Sequence, residues 1–306
     1  MPNTRPDATL DTVDTVDTIT IPRLAGWITY ARAETLADAA FRSGAALAYL
    51  NLIMVQVAVP QALWRDRLAL AAAERCVSMS GQRVGAAGLR DAVHLTRPGD
   101  HPGPAGAIFR QWSRAVARPI SVAGLARAVD GVSADQIALC LDAAGGNPVE
   151  RAAAVLEAVL TDNPCAETAA LILADAGLVS SLGWDHILPL LSLGLKPRDL
   201  RLRGDDLRLA CHRAIVVGAG QAVPLAADLA RRAAKLKMVL PKLRAKGAER
   251  AVDLFLSRDA LAPTALIIES HGSMSDRAAR RLCDRLVELG VIRELTGRDT
   301  FRLYGV

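Results

Sequence analysis

A regular succession of apolar segments with helical spacing constrains this chain more than any other feature of its sequence. From about Ala31 onward these segments follow one another, separated by short runs of Pro and Gly that end helices and favour turns. Ala and Leu dominate them, while aromatic residues make up 4% of the chain, a mix that favours helices over strands. The sequence therefore predicts a mainly α-helical protein. The main breaks fall at Pro60, Gly81, Gly85, 98–104, Pro119 and Gly145–Gly146.

Local signals divide the chain further. Residues 1–20 repeat Asp-Thr-Val and are predicted to form a disordered acidic arm. A helical domain over 21–195 and a basic helical connector over 196–245 are expected to follow. Within the helical domain, Asn147-Pro148 and Asn163-Pro164 each predict a helix start, with Asn as the cap and Pro in the first turn.

The C-terminal part, residues 246–306, shows a different pattern. Two short apolar helices are predicted over Ala251–Leu256 and Pro263–Glu269, then a turn at 271–274. Ser275 should cap a third, amphipathic helix over Asp276–Leu289. Two β-prone runs between 291 and 304 predict a hairpin. Three helices followed by a hairpin is the order of a winged helix-turn-helix, which we expect here.

The charge distribution suggests an acidic partner. Residues 196–306 hold 22 Lys/Arg against 13 Asp/Glu, whereas residues 1–195 hold 15 against 19. Double-stranded DNA is the first candidate, because the third helix of this fold enters the major groove and the wing lies along phosphates. The candidate DNA-binding residues are Ser275, Arg277, Arg280, Arg281 and Arg285 on the third helix, Arg298 and Arg302 in the wing, and Lys235 and Lys237 upstream.

These observations favour a DNA-binding regulatory protein whose helical domain senses a signal or forms a homodimer. A competing hypothesis remains open, because residues 251–306 hold eight basic and eight acidic side chains. A winged helix of zero net charge is also compatible with a protein-interaction or scaffold module that binds no DNA.

No set of residues predicts catalysis. The run Gly218-Ala219-Gly220 resembles part of a dinucleotide-binding loop, but Val223 stands where the third glycine should be. A helix with a Gly-rich end is the better interpretation. His94, His101 and His186 have no acid or nucleophile at a recognisable spacing. We therefore expect no enzyme activity and no cofactor.

Cysteine spacing and hydropathy suggest a cytoplasmic protein. The five cysteines are scattered and form no C-x-x-C pair, which favours reduced thiols over disulfides or a metal site. Asp7, Asp11 and Asp14 occupy the start of the chain, where a signal peptide would need basic residues. The stretch Ser43–Trp64 carries no charge, but Pro60 interrupts it, so two helices joined by a turn are predicted rather than a membrane span.

Several segments resemble the domain-of-unknown-function 1403 family, a group of alphaproteobacterial proteins with no known activity. The resemblance covers the chain from about Gly26 to Val306 and implies a bacterial cytoplasm. The segments that carry it are Leu89–Leu95, Arg97–Asp100, Pro102–Gly106, Ser275–Arg281, Arg293–Arg298 and Phe301–Gly305.

The last part of the chain is also similar to the winged-helix tail of Fic-type proteins, notably in the wing Glu294–Arg298. Catalysis in that family needs His-Pro-Phe-x-Asp/Glu-Gly-Asn-Gly-Arg. The nearest segment here begins at His101-Pro102, but it has Ala105 for the acid, Ala107 for the Asn and Phe109 for the Arg. The resemblance therefore implies at most a catalytically degenerate relative.

Overall fold

The structure, a computed structural model, describes residues 21–30, 33–97, 99–142, 145–243, 246–269, 274–298 and 300–306. The expected acidic arm over 1–20 and the first three residues of the turn at 271–274 lie outside these residues. Helices make up most of what is described, so the mainly α-helical class is confirmed.

Eleven helices of the described chain precede residue 243 and form what we call the helical body. They are α1 (Gly26–Thr29), α2 (Leu36–Met54), α3 (Gln61–Met79), α4 (Ala86–His94), α5 (Gly103–Val116), α6 (Val122–Ala126), α7 (Ala134–Asp142), α8 (Pro148–Asp162), α9 (Glu167–Ser181), α10 (Leu191–Gly194) and α11 (Gly204–Val239). Short 3₁₀ turns occupy Asp199–Arg201 and Leu240–Lys242.

The helical body is built around α9, in which every side chain from Ala169 to Val179 is buried. Helix α8 packs along it, and α7, α10 and α5 cover its other sides. A helix that is apolar on all sides is stable only when it is enclosed in this way. Asp175 is the polar exception: its Oδ1 accepts the main-chain N–H groups of Leu190 and Leu191 at 3.2 and 3.0 Å. Burial raises its pKa to about 7.

Helix α11 differs from the arrangement expected for this stretch. One 36-residue helix continues through Pro224, so the Gly-rich run lies in the helix interior and not at a helix end. Glycine is needed there because a Cβ on Gly218 would lie 2.6 Å from the main-chain oxygen of Leu190. A Cβ on Gly194 of α10 would likewise lie too close to the main chain of Ala214. The expected basic connector is thus, over most of its length, a helix packed against α2, α10 and α8.

Helix α11 with its following turn is also long and apolar enough to cross a membrane, judged by length and composition alone. Half of its most apolar window is buried among the other helices. The uncharged stretch Ser43–Trp64 divides as predicted, with α2 ending at Met54 and α3 beginning at Gln61.

The two predicted Asn-Pro helix starts have different outcomes. Asn147 caps α8, as expected, and the structure adds a reciprocal capping box with Glu150. Asn163 instead ends α8, and the next helix begins four residues later, at Glu167. The Asn163 side chain accepts the N–H of Cys165 within the intervening turn, so the second prediction was wrong.

Residues 246–306, which we call the C-terminal module, contain three helices and a minimal hairpin among the described positions. The elements are α12 (Ala248–Phe255), α13 (Pro263–Glu269), α14 (Asp276–Glu288), β1 (Arg293–Glu294) and β2 (Tyr304–Gly305). The strands pair antiparallel, and Leu261, between α12 and α13, pairs with Tyr304 through two 2.9 Å hydrogen bonds. Buried apolar residues form one continuous cluster from the helical body into this module.

Candidate nucleic-acid interface

Helix α14 separates its apolar and charged residues cleanly. Ser275 caps it by accepting the N–H of Ala278, as predicted from the sequence. Ala279, Leu282, Cys283 and Leu286 are buried. The opposite side is exposed, and we call it the outer face of α14. It carries Arg277, Arg281, Asp284 and Glu288, with Arg280 and Arg285 at its edges.

The four arginines of α14 differ in their pairing. Arg280 contacts Asp276 at 3.1 Å, and Arg285 contacts Glu288 at 3.1 Å. Arg277 and Arg281 are exposed and form no ion pair with any residue in the described ranges. Two guanidinium groups therefore remain available in the middle of the outer face.

The two arginines between β1 and β2 are less available. Arg298 forms an ion pair with Asp91 of α4, which ties this connection to the helical body. Arg302 donates from Nε to the main-chain oxygen of Arg298 at 3.0 Å, and a hydrogen bond with Tyr304 raises the pKa of the guanidinium. Between them Phe301 has a φ of 55° and is 75% exposed, an unusual conformation for a non-glycine residue.

The upstream pair of cations lies at the far end of α11. Lys235 and Lys237 are exposed in the last turns of that helix. The 3₁₀ turn that follows contacts α12, so these lysines lie where the chain enters the C-terminal module. The described contacts place α14 against α13, whereas Lys235 and Lys237 belong to α11.

A buried ion cluster fixes the C-terminal module on the helical body. Asp259 is 1% exposed and accepts two hydrogen bonds from Arg90 of α4, at 2.6 and 2.9 Å. It also forms an ion pair with Arg67 of α3, whose Nη2 donates to the main-chain oxygen of Val306 at 2.9 Å. The Asp259 N–H donates to Asp66 at 2.8 Å. A bidentate, buried pair of this kind defines one orientation of two packed parts.

This cluster has no local signal in the sequence. Asp259 lies 169 residues from Arg90 in the chain, and no spacing rule links them. A cavity of about 390 Å³ opens beside it, lined among others by Arg65, His94 and Arg258. Burial raises the pKa of Asp66 to about 6. The cluster thus combines a structural role with a carboxyl group whose pKa lies above its ordinary range.

Among the described residues, no hydrogen bond joins the isolated histidines identified in the sequence to one another. Burial lowers the pKa of His94 and of His186. His101 is exposed, and its Nδ1 accepts the N–H of Gly103 at 3.1 Å. Within the described residues no group of three or more His, Cys, Asp or Glu is arranged to hold a metal ion.

Comparison with known protein families identifies the family of this chain. The family model "Protein of unknown function (DUF1403)" matches residues 12–306. The chain therefore belongs to this family, as its sequence motifs indicated. No curated protein matches it.

Proposed function

We propose that this member of the DUF1403 family is a DNA-binding regulatory protein of the bacterial cytoplasm. In this proposal residues 246–306 form a winged helix-turn-helix, and the helical body serves sensing or dimerisation. The observation that carries the proposal is the outer face of α14. It presents Arg277 and Arg281 unpaired among the described residues, while the opposite side of the helix is buried in the module.

The connectivity of the module supports a winged helix-turn-helix. A winged helix has a short strand between its first and second helices that pairs with the last strand of the wing. The bridge between Leu261 and Tyr304 occupies that position, and β1 pairs with β2 on the other side. In such a fold α14 is the recognition helix, whose exposed face meets the major groove.

The chemistry of the exposed cations also supports DNA binding. A guanidinium group donates to guanine O6 and N7 and to phosphate oxygens. Arg281 lies near the centre of the outer face, so we assign it to base contact. Lys235 and Lys237 are assigned to phosphate contact, because they lie on a different segment and their charge carries no sequence information.

A salt series tests the proposal. The purified protein is titrated with double-stranded fragments from its own gene neighbourhood between low and high salt. We expect affinity to fall steeply with salt, since counterion release dominates binding to phosphates. Arg281→Ala should cost about 1–3 kcal/mol on the preferred fragment and little on others. Replacing Lys235 and Lys237 by Ala should weaken all fragments alike.

Arg208→Ala is the matched control, because Arg208 is an exposed arginine near the other end of α11. It should leave binding unchanged. Failure to bind any fragment at low salt would contradict the proposal.

A homodimer fits the same proposal. Phe41 and Leu52 on one side of α2, and Val55 directly after it, are 67%, 58% and 74% exposed, and the helix carries no charge after Arg42. Trp27 stacks on Phe41 with ring centroids 5.5 Å apart. A contiguous exposed apolar stripe is typical of a protein contact. A two-fold dimer would present two copies of α14 to successive half-sites.

The mixed charge of the outer face favours a second candidate, a protein-interaction module. Asp284 and Glu288 lie beside Arg277 and Arg281 and would repel phosphates. They would instead complement a partner helix of alternating charge. Capture of a protein partner that is lost in Arg281→Ala, together with absence of DNA binding, would favour this candidate.

Neither candidate gives the protein a catalytic step, including the nucleotide transfer of Fic-type proteins. Incubation with labelled ATP and a cell lysate tests this point. We expect no labelled product, and transfer that disappears in His101→Ala would overturn it.

A further inference from the structure

A cavity in the helical body differs from the others in its lining. It measures about 450 Å³ and lies between α2, the start of α8, the end of α9 and α11. Leu47, Leu182 and Trp184 contribute apolar walls, and Asn51 adds a side-chain amide. Its lining contains no Asp, Glu, Lys or Arg, whereas four other cavities along the described residues each contain at least one. Such a lining disfavours a charged ligand, which would lose its hydration without a compensating partner.

One polar group in this lining lacks a partner. His212 of α11 is 2% exposed, and its Nδ1 lies 2.7 Å from Oγ of Ser43 on α2. The Nε2 of the same ring is buried and has no hydrogen-bond partner among the described residues. A buried polar atom left in this state destabilises the protein by about 1–3 kcal/mol relative to a satisfied one. A ligand that supplies the missing partner would recover this energy on binding.

The hydrogen bonds of Ser43 determine what that partner must be. The Ser43 hydroxyl donates its single hydrogen to the main-chain oxygen of Ala40 at 3.0 Å. We assign the hydroxyl hydrogen to this bond, so that Ser43 accepts from His212; in that arrangement the ring proton lies on Nδ1 and Nε2 keeps a free lone pair. Burial lowers the pKa of His212 below its ordinary value, which favours this neutral ring. Nε2 is thus a hydrogen-bond acceptor without a donor among the described residues.

We propose that this cavity binds a small, uncharged, mainly apolar molecule that carries one N–H or O–H donor, and that His212 Nε2 accepts its hydrogen bond. Trp184 lines the same cavity. Its Nε1 donates to Asn51 Oδ1 at 2.9 Å, and this hydrogen bond holds the indole ring in position. The size of the cavity suits a one- or two-ring molecule. The site lies entirely in the helical body, and its assignment does not depend on DNA binding.

Indole and 1-methylindole are suitable probes, because methylation of the ring nitrogen removes the donor and adds only one methyl group. Titration of the full chain with each is followed by calorimetry and by the ¹⁵N resonance of the His212 ring. We expect indole to bind about tenfold more tightly than 1-methylindole, the size of effect that one buried hydrogen bond produces. The Nε2 resonance should shift with indole only. In His212→Phe the preference for indole over 1-methylindole should be lost.

A second variant tests the cavity without altering the histidine. Ala48 lines the cavity at an exposed position of α2, so Ala48→Leu should fill the space and abolish indole binding while leaving the fold intact. Ala37→Leu, exposed on the same helix but outside the lining, is the matched control and should bind indole normally. Absence of indole binding, equal binding of the two probes to the natural sequence, or unchanged binding in Ala48→Leu would overturn the proposal. None of these titrations contains DNA, so their failure is distinguishable from failure of the proposed function.

Discussion

The helical body and the C-terminal module use their helices in opposite ways. In the body, α9 is buried on all sides and α11 approaches α10 so closely that the backbones touch. In the module, α14 buries one side and leaves six charged positions on the other. Close packing therefore restricts which residues the body can hold at each position. The residues on the exposed face of α14 are not restricted in this way and can serve a function. The two regions meet at Asp259, which belongs to the module and is buried against the body.

Gly218→Val should produce the largest effect, because it attacks the packing that distinguishes the body. The new Cβ would lie 2.6 Å from the Leu190 main-chain oxygen, and a backbone cannot yield as a flexible side chain would. We expect the protein not to fold, as judged by circular dichroism and gel filtration.

Gly220→Ala is the matched control in the same helix. Nothing lies within 4 Å of the position that its Cβ would occupy. Because alanine is a better helix former, we expect it to raise the free energy of unfolding by about 0.5–1 kcal/mol. Equal destabilisation by the two substitutions would contradict the close approach of α11 to α10.

The next effect tests the junction between the two regions. Asp259→Ala leaves Arg67 and Arg90 buried without their shared partner, and we expect a loss of about 3–5 kcal/mol in urea denaturation. Asp253→Ala, at an exposed position of α12, should have little effect. A small effect of Asp259→Ala would mean that the module does not depend on this cluster for its position.

A smaller, pH-dependent effect is expected inside the body at Asp175. Its pKa rises from 3.8 to about 7 on folding, so between these values the folded state holds a proton that the unfolded state has released. The contribution of Asp175 to stability is therefore full below about pH 4 and is lost as the pH rises toward about 7. Asp175→Asn should remove this part of the pH dependence. The measurement is the free energy of unfolding of the natural protein and of the variant as a function of pH. If Asp175→Asn changed the free energy of unfolding by the same amount at pH 4 and at pH 7, the prediction would be contradicted.

The sequence predicted the elements whose signals are local. Helix α13 and the start of α14 are found at the expected residues, because Pro263 and Ser275 mark first turns through their own chemistry. The prediction for Asn163 failed because the same Asn-Pro signal also suits a turn between two helices. The role of Gly218 could not be predicted, since it depends on a contact with Leu190. The Asp259 cluster was missed for the same reason: it joins residues that are close only in the fold.

A still smaller effect is expected on the assembly of the body. Leu52→Glu places a charge in the apolar stripe of α2 and should shift the protein toward the monomer in light scattering at low micromolar concentration. Leu139→Glu is the control, because Leu139 is 72% exposed on α7, away from that stripe. A natural chain that is monomeric throughout would remove the dimer from the proposal.

The most direct test of the central claim asks whether α14 contacts DNA. A DNA-cleaving iron chelate is attached to the thiol of Arg285→Cys, on the edge of the outer face. The background carries Cys165→Ser, because Cys165 is the exposed one of the five cysteines and the other four are buried. A matched protein carries the chelate at position 208 near the far end of α11. The account predicts cleavage confined to about one helical turn of bound DNA from position 285 and none from position 208. Binding without cleavage from position 285, or equal cleavage from both positions, would contradict it.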